Sequence, residues 1–256
     1  MKIEKLSASA LKKFQRCPKS YWLRYLHEYE PFEEESKYLW IGNSVHESLE
    51  DTLEETTTRD EDILLELLWK NDPEYYTEDE YDTVETCFET AAKYISGYVA
   101  EDIQSVEDRW TMDYNGIELV GYSDLVESNR IVDWKTGKSE GKELDEKIQA
   151  SFYIKLYEEE HGELPEQVEF VYLKEGTRST HNRITDDGKV LWNNHKNTYW
   201  EDTEKIINQI LRSNNDGEFE AQPEASKCHF CAMKYYCQDS PIGAENVTRE
   251  HINIGL

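Results

Sequence analysis

The sequence predicts an α/β fold in which a mixed central sheet is flanked by helices. Three strand-like segments lie at residues 109–114, 117–127 and 130–134. Tight turns are predicted between them, and Asn115-Gly116 is a strong two-residue hairpin turn. A helical periodicity follows over residues 145–161, and an alternating strand-like segment over residues 167–173. Strands are recognised by a period of two and helices by a period of about 3.6. The predicted order is helix, three strands, helix, strand, and 256 residues suffice for one large domain.

The first predicted helix begins after Ser7, a residue type that often caps a helix, and breaks near Pro18 before helix resumes. This segment concentrates basic side chains in an otherwise acidic chain: Lys12, Lys13, Arg16, Lys19 and Arg24. The cluster is a candidate contact for nucleic-acid phosphates. An ordinary amphipathic helix explains the same residues, and the sequence does not decide between the two.

A second helix is predicted from about residue 38 to residue 55. Its buried face is marked by apolar residues that recur every four positions: Val45, Leu49 and Leu53. His46 lies at the edge of that face, where a single histidine is usually structural. Residues 59–106 show mostly helical patterns, and we predict that they form a helical insertion between this helix and the sheet.

Three polar residues stand out in the predicted sheet. Asp124 lies on one strand, and Asp133 and Lys135 lie two residues apart on the next, so their side chains project from one face. A turn at Ser128-Asn129 would bring the two carboxylates close together. Like charges at that distance repel unless a cation lies between them, and carboxylate oxygens suit Mg²⁺ or Mn²⁺. A surface hairpin with a salt bridge explains this pattern equally well.

The helix predicted at residues 145–161 has two stripes of residues at i, i+4 spacing. The core stripe is Ile148, Phe152 and Leu156, and the neighbouring stripe is Gln149, Tyr153 and Tyr157. Beyond residues 167–173, the patterns predict a pairing strand over residues 177–184 and a closing helix over residues 189–212.

The chain has five cysteines: Cys17, Cys87, Cys228, Cys231 and Cys237. An odd number in a chain that shows no secretory signal argues against a disulfide framework. Cys87 lies among apolar helical residues and is predicted to be a buried apolar filler. The last three cysteines form a C-x2-C-x5-C group within the segment 220–240.

The net charge of −27, from 55 acidic and 28 basic residues, is unexpected for a protein whose basic cluster contacts nucleic-acid phosphates. Either the protein does not touch nucleic acid, or it works in a high-salt cytoplasm, where acidic surfaces stay hydrated and repulsion is screened. We favour the halophilic interpretation. No apolar run approaches the roughly 18 residues of a membrane span, and no signal peptide is apparent, so we expect a cytoplasmic protein without a membrane partner.

Two stretches, Gly121-Tyr-Ser-Asp124 and Ile131-Val-Asp133-Trp-Lys135-Thr-Gly137, resemble the PD-(D/E)XK nuclease superfamily. The resemblance is narrower to the RecB-like exonucleases and the CRISPR-associated four-cysteine nucleases. Gly42-x3-His46 resembles their histidine helix motif, and Gln149-x3-Tyr153 resembles their Q-x-x-x-Y motif. The order of elements is that of the PD-(D/E)XK core. The family's proline is absent, since Ser123 precedes Asp124, but the RecB-like branch dispenses with it.

The resemblance implies a restriction-endonuclease-like core and a role for each residue. The implied metal ligands are His46, Asp124, Asp133 and the backbone carbonyl of Trp134. The implied catalytic residues are Asp124, Asp133 and Lys135, and the implied nucleic-acid contacts are Gln149 and Tyr153. A divalent metal activates water and neutralises the leaving oxygen, while Lys135 would orient or deprotonate that water and stabilise charge on phosphorus.

The resemblance also implies that Cys17 joins Cys228, Cys231 and Cys237 in an iron–sulfur clasp that ties the chain ends together. Four thiolates suit a [4Fe-4S] cluster and also a structural Zn²⁺ ion. Zinc ribbons usually use two local C-x2-C pairs, whereas Cys17 is over 200 residues from the other ligands. This distance favours the cluster.

We therefore expect one nuclease domain over residues 1–256. The expected activity is that of a metal-dependent DNA exonuclease, hydrolysing phosphodiester bonds in single strands or at DNA ends. Its context would be recombination, repair or replication in a halophile or its virus. One alternative is a CRISPR-adaptation nuclease that trims spacer precursors. Another is a non-catalytic, cluster-bearing DNA-binding subunit, against which the intact Asp124, Asp133 and Lys135 argue.

Overall fold

The computed structural model of the protein describes residues 3–29, 36–72, 76–186, 189–193, 195–196 and 198–241. Its strands are β1 (Lys5–Ser7), β2 (Ile103–Tyr114), β3 (Ile117–Glu127), β4 (Arg130–Lys135), β5 (Gln167–Tyr172), β6 (Thr177–Asp186), β7 (Lys189–Trp192) and β8 (His195–Lys196). Its helices are α1 (Ala8–Arg16), α2 (Pro18–Tyr21), α3 (Ser36–Glu55), α4 (Glu61–Asn71), α5 (Glu78–Ser96), α6 (Glu143–His161), α7 (Thr198–Asp216) and α8 (Ala225–His229). None of the helices in these ranges has both the length and the apolar character needed to cross a membrane.

The strands form one mixed sheet in the order β1-β3-β4-β5-β6-β7-β8, with β2 also paired to β3. Strand β2 runs antiparallel along the length of β3, so β1 and β4 share the opposite edge of β3. Strands β4 and β5 are parallel and are connected through α6, while β5, β6, β7 and β8 follow one another in antiparallel fashion. This mixed sheet flanked by helices confirms the predicted fold class.

Two tight turns fix the register of β2, β3 and β4. Asn115 and Gly116 both have positive φ, 54° and 79°, as a two-residue hairpin turn requires. Ser128 and Asn129 also both have positive φ, 47° and 64°. Both turns lie where the sequence predicts them, and they set which residues of the three strands lie opposite one another.

Helices cover both faces of the sheet. On one face, α1, α6 and α7 bury apolar residues that include Leu11 and Ile207. On the other face, α3, α4 and α5 bury apolar residues that include Leu49 and Phe88. Full burial of such a side chain is worth about 1.5–3 kcal/mol. The segment predicted as a helical insertion, residues 59–106, therefore supplies part of the core with α4 and α5, and its last residues belong to β2.

The N-terminal helix breaks as predicted, while the end of the sheet differs from expectation. The Ser7 side chain accepts a hydrogen bond from the Ala10 N–H at 3.3 Å, and α1 ends before Cys17, which is extended ahead of Pro18. The helix predicted over residues 189–212 begins only at α7. Its first part is β7, because Val-Leu-Trp is a strand-forming run that pairs with β6. Strand β1, which is only three residues long, was not expected from the sequence.

A buried carboxylate ties α6 to β5 and β6. Glu146 accepts hydrogen bonds from the hydroxyls of Tyr172 at 2.5 Å and Ser179 at 2.7 Å, and His181 Nε2 lies 3.6 Å from it. Burial raises the pKa of the Glu146 carboxyl, but the hydrogen bonds from His181, Tyr172 and Ser179 outweigh it and lower that pKa to about 2. The ionised carboxylate therefore stabilises the packing of α6 on the sheet.

We expect Glu146→Gln to lower the free energy of unfolding at neutral pH by about 1–3 kcal/mol, because an amide binds these donors more weakly than a carboxylate. The depressed pKa means that the carboxylate's contribution is present above its ordinary value of 4.5 and is lost as the pH falls toward about 2. Urea unfolding across that range should show the difference from wild type shrinking below pH 4.5. The exposed Glu159→Gln on the same helix is the control, and a difference independent of pH would contradict this account.

Candidate active site

The candidate site forms where β3 and β4 separate. Their ladder ends at the pair Leu125–Val132. The next residues on the two strands are Asp124 and Asp133, which are only 7% and 2% exposed. In place of a ladder hydrogen bond, the Trp134 N–H donates to Asp124 Oδ2 at 2.5 Å. Because burying an ionised carboxylate is costly without a partner, both side chains need donors or cations beside them.

Asp124 faces His46 on α3 and Glu107 on β2. His46 Nδ1 lies 3.5 Å from Asp124 Oδ1 and 3.8 Å from Glu107 Oε1. One ligand atom from each of the three side chains lies within 4.8 Å of the other two. An imidazole nitrogen with two carboxylate oxygens is a donor set that suits a divalent ion such as Mn²⁺ or Mg²⁺. These three side chains therefore fit the metal that the sequence predicts.

The surrounding carboxylates favour a positive charge on the His46 imidazole. Burial lowers the pKa of His46, but the charges of Asp124 and Asp133 and hydrogen bonds to Asp124 and Glu107 outweigh it and raise that pKa to about 10. Burial raises the pKa of Asp124, as do Asp133 and Glu107, while His46 lowers it. The two carboxylates of the His46–Glu107–Asp124 group therefore favour a cation between them.

The sequence patterns miss Glu107, which lies in a charged stretch at the end of the predicted insertion. Its backbone has a φ of 46°, in the left-handed region that costs a non-glycine residue about 1–2 kcal/mol. The hairpin register contains the signal that identifies it. Tyr114 on β2 pairs with Ile117 on β3. Glu107 lies seven residues before Tyr114 and Asp124 lies seven residues after Ile117, so the antiparallel register places Glu107 opposite Asp124.

Asp133 lies at the centre of a second, adjoining network. It is 2.5 Å from the Lys135 ammonium, and its Oδ1 accepts hydrogen bonds from Gln149 Nε2 at 2.7 Å and from the Tyr153 hydroxyl at 2.5 Å. Burial, and then the charge of Asp133, raise the pKa of Tyr153 well above its usual value, so its hydroxyl remains a donor. Gln149 Oε1 accepts from Lys135 at 3.1 Å and from Lys12 at 2.9 Å. The network holds the lysine and the carboxylate in fixed positions.

The arrangement of these residues agrees with a protein-family model that matches most of the chain. The sequence model of the PD-(D/E)XK nuclease superfamily matches residues 5–238 of the 256. The chain belongs to the PD-(D/E)XK nuclease superfamily. Its mixed sheet and flanking helices are the fold of that superfamily. Hydrolytic nuclease activity is what this membership supports.

A solved structure shares the fold of this nuclease. It is a protein from Eubacterium rectale that is provisionally named an exonuclease, with a TM-score of 0.53 and 16% sequence identity over 99% of this chain and 94% of that one. The protein SSO0001 is similar with a TM-score of 0.41 and 14% identity over 94% of this chain and 89% of that one, and no argument rests on it. None of the curated proteins matches the chain significantly.

The nuclease distributes its predicted metal ligands over the two networks. His46 and Asp124 come together with Glu107, while Asp133 is held by Lys135, Gln149 and Tyr153 in the adjoining network. The Trp134 side chain is buried in the core between the sheet and α3–α5, and the backbone N–H of Trp134 donates to Asp124. The role of its carbonyl as a ligand stays a prediction.

The predicted basic cluster of the nuclease divides at the break after α1. Lys12 lies in the site, where burial and the charge of Lys135 lower the pKa of Lys12 to about 8. Lys13 and Arg16 line a neighbouring cavity, and Arg16 lies 3.6 Å from Asp145. In the other direction, the Lys19 ammonium lies 4.0 Å from the centre of the Trp22 ring, and Arg24 donates to the Tyr29 carbonyl at 3.3 Å. Lys12 thus contacts the Asp133 network through Gln149.

Four of the five cysteines line one cavity of about 260 Å³ between α1, α2 and the C-terminal segment: Cys17, Cys228, Cys231 and Cys237. The fifth, Cys87, is buried in the core as predicted. Among the described residues, no three cysteine sulfurs lie within 4.8 Å of one another. A tetrahedral zinc ion, with Zn–S distances of about 2.3 Å, would place its sulfurs about 3.8 Å apart. Which metal group these four cysteines hold stays a prediction.

We expect Glu107→Gln and His46→Ala each to raise the Mn²⁺ concentration for half-maximal nuclease activity by at least about tenfold, because each removes one ligand from a partly exposed position. Melting temperatures should change little. The measurement is an activity titration with Mn²⁺, and the exposed Glu54→Gln on α3 is the control. An unchanged titration would show that the substituted side chain is structural.

Proposed function

We propose that the protein is a metal-dependent DNA exonuclease that hydrolyses phosphodiester bonds in single strands or at DNA ends. The observation that carries the proposal is the close approach of two networks: the His46–Glu107–Asp124 group and the Asp133–Lys135 pair on the adjoining strand. Membership in the PD-(D/E)XK superfamily supports hydrolysis of nucleic acid. The motifs that resemble the RecB-like branch support the exonuclease assignment.

In this proposal His46, Glu107 and Asp124 hold a Mg²⁺ or Mn²⁺ ion, with Asp133 and the Trp134 carbonyl as further ligands. When bound, such an ion makes water nucleophilic and offsets negative charge on the phosphate. Water loses a proton as its oxygen joins the phosphorus, the bond to the leaving oxygen breaks, and that oxygen takes up a proton.

Lys135 supplies a fixed positive charge for the phosphate under attack, where a preorganised cation stabilises the transition state. Asp133 holds the Lys135 ammonium at 2.5 Å, and Gln149 binds both side chains. Tyr153 donates to Asp133 from the buried side of the network. The chain's own residues therefore position the charges before any substrate arrives.

We also propose that Cys17, Cys228, Cys231 and Cys237 hold a [4Fe-4S] cluster, with Zn²⁺ as the alternative. The cavity that the four cysteines share supports a common metal group, and the distance of Cys17 along the chain favours the cluster. A cluster there would join α1 to the segment 220–240, within one nuclease domain over residues 1–256 that has a helical insertion at residues 59–106. DNA is the proposed partner and the cytoplasm the proposed location.

The proposed activity is tested with purified protein, Mn²⁺ or Mg²⁺, and end-labelled linear DNA beside circular single-stranded DNA. We expect linear strands to shorten from their ends only when metal is added, and circles to survive. Cleavage of circles would make the enzyme an endonuclease. No cleavage of any DNA under these conditions would favour the non-catalytic DNA-binding alternative.

The proposed halophilic setting predicts that the melting temperature rises with KCl into the molar range and that activity is retained there. A net charge of −27 makes the folded chain repel itself and repel DNA. Salt shortens the Debye length from about 10 Å at 0.1 M to about 3 Å at 1 M. Thermal melts and nuclease assays across about 0.1 to 3 M KCl test this. A flat or falling melting temperature, with activity lost by about 0.5 M as for typical phosphate binders, would exclude the halophilic interpretation.

A further inference from the structure

The cavity between α1 and the C-terminal segment reverses the charge balance of the chain. Acidic residues outnumber basic ones by 55 to 28 in the whole sequence. The side chains that line this cavity include two acids, Asp145 and Asp239. They also include five bases: Lys12, Lys13, Arg16, Lys227 and Lys234. Arg16 lies 3.6 Å from Asp145, and Lys227 lies 2.9 Å from Glu224 beside the cavity. Bases still outnumber acids at this surface, which makes it complementary to an anion.

An aromatic ring stands at the mouth of this basic cavity. Phe230 is 77% exposed and is the most exposed large apolar side chain in the described part of the chain. It lines the cavity together with Arg16 and Lys227, whose side chains are 60% and 46% exposed. Leaving a phenyl ring in water forgoes its burial energy, which folding alone does not explain. Exposed rings beside cations are typical of surfaces that bind unpaired bases.

The cavity is continuous with the active site through Lys12. Lys12 is one of the residues that line the cavity, and its ammonium donates to Gln149 Oε1 at 2.9 Å, while Gln149 in turn donates to Asp133 at 2.7 Å. A strand whose phosphates follow the cations of the cavity mouth would thus reach the Asp133–Lys135 pair without leaving positively charged surface.

We propose that this mouth is a binding subsite for single-stranded DNA, in which a base stacks on Phe230. Lys13, Arg16 and Lys227 bind the phosphates of the same strand, and Lys12 passes the strand to the active site. Stacking on a ring requires an unpaired base, which distinguishes a single strand from duplex DNA or an acidic peptide. The subsite rests on the proposed function for its substrate and adds the path by which that substrate arrives.

The test measures the binding of a fluorescent thymidine oligonucleotide of about 20 nucleotides by anisotropy, without added divalent metal. Phe230→Ala should weaken binding by about 5- to 100-fold, the loss expected for one stacked base, and Phe230→Trp should restore it. Ile63→Ala, which removes an exposed apolar side chain of α4 on the other face of the sheet, should change nothing. Metal content and melting temperature should be unchanged in every variant, since the Phe230 ring lies largely outside the core.

A second probe of the same length carries abasic sugars, so it offers phosphates without bases. We expect wild type and Phe230→Ala to bind it equally. The subsite is overturned if Phe230→Ala binds thymidine strands like wild type, if its loss is as large on the abasic probe, or if wild type binds an acidic peptide but no strand. Binding with the stacking loss but without hydrolysis by wild type would uphold the subsite and reject the nuclease. Hydrolysis of DNA by wild type, with no loss of binding in Phe230→Ala, would uphold the nuclease and reject the subsite.

Discussion

Lys135→Ala and Asp133→Asn are each expected to lower DNA hydrolysis by at least about a hundredfold, the usual cost of removing a preorganised charge from an active site. Asn at position 133 keeps an acceptor for Gln149 and Tyr153 but removes the charge that holds the Lys135 ammonium at 2.5 Å. Ala at position 135 removes the ammonium and leaves Asp133 with its other two donors. The fold should therefore persist in both variants.

The measurement is single-turnover hydrolysis of labelled single-stranded DNA in Mn²⁺, with unfolding curves to verify the fold. Lys138→Ala is the matched control, because Lys138 is an exposed lysine three residues further along the chain. More than a few per cent of wild-type turnover in Lys135→Ala would show that this lysine has no catalytic role.

Cys228→Ser is expected to remove the metal group at the cysteine cavity and to lower the free energy of unfolding by on the order of 5 kcal/mol, since the group closes a loop of some 200 residues. Wild type should be brown, with a broad absorbance at about 400 nm from iron–thiolate charge transfer, and the variant should be colourless. Cys87→Ala is the control, because Cys87 is buried away from the cavity and its loss should leave the colour intact.

Iron, sulfide and zinc analysis of anaerobically purified protein decides between the two groups. Colourless wild type with stoichiometric zinc would reject the cluster and support the alternative. Colour that survives Cys228→Ser would remove this residue from the ligand set.

Local signals in the sequence identify the parts of the site that lie on regular elements. The Asn115-Gly116 turn and the apolar runs around Asp124 and Asp133 predict the hairpin. The apolar residues that recur every four positions beside His46 predict its helix. These features depend on turn chemistry and periodicity, which act over a few residues.

The features that the sequence patterns do not place depend on tertiary contacts. Lys12 joins the active site through Gln149, a partner 137 residues away. Glu107 takes its place through strand pairing and a left-handed backbone that no propensity favours. Strand β7 replaces the start of a predicted helix because β6 provides an edge for it to pair with. In each case a distant segment overrides the local pattern.

Calorimetric titration with Mn²⁺ tests the central claim, that the His46–Glu107–Asp124 group holds the catalytic metal beside Lys135, most directly. Wild type and Lys135→Ala should bind Mn²⁺ with the same affinity, within about threefold, although the variant hydrolyses DNA at least about a hundredfold more slowly. Asp124→Asn should lose the binding and the activity together. Unchanged Mn²⁺ binding in Asp124→Asn, at an unchanged fold, would contradict the account.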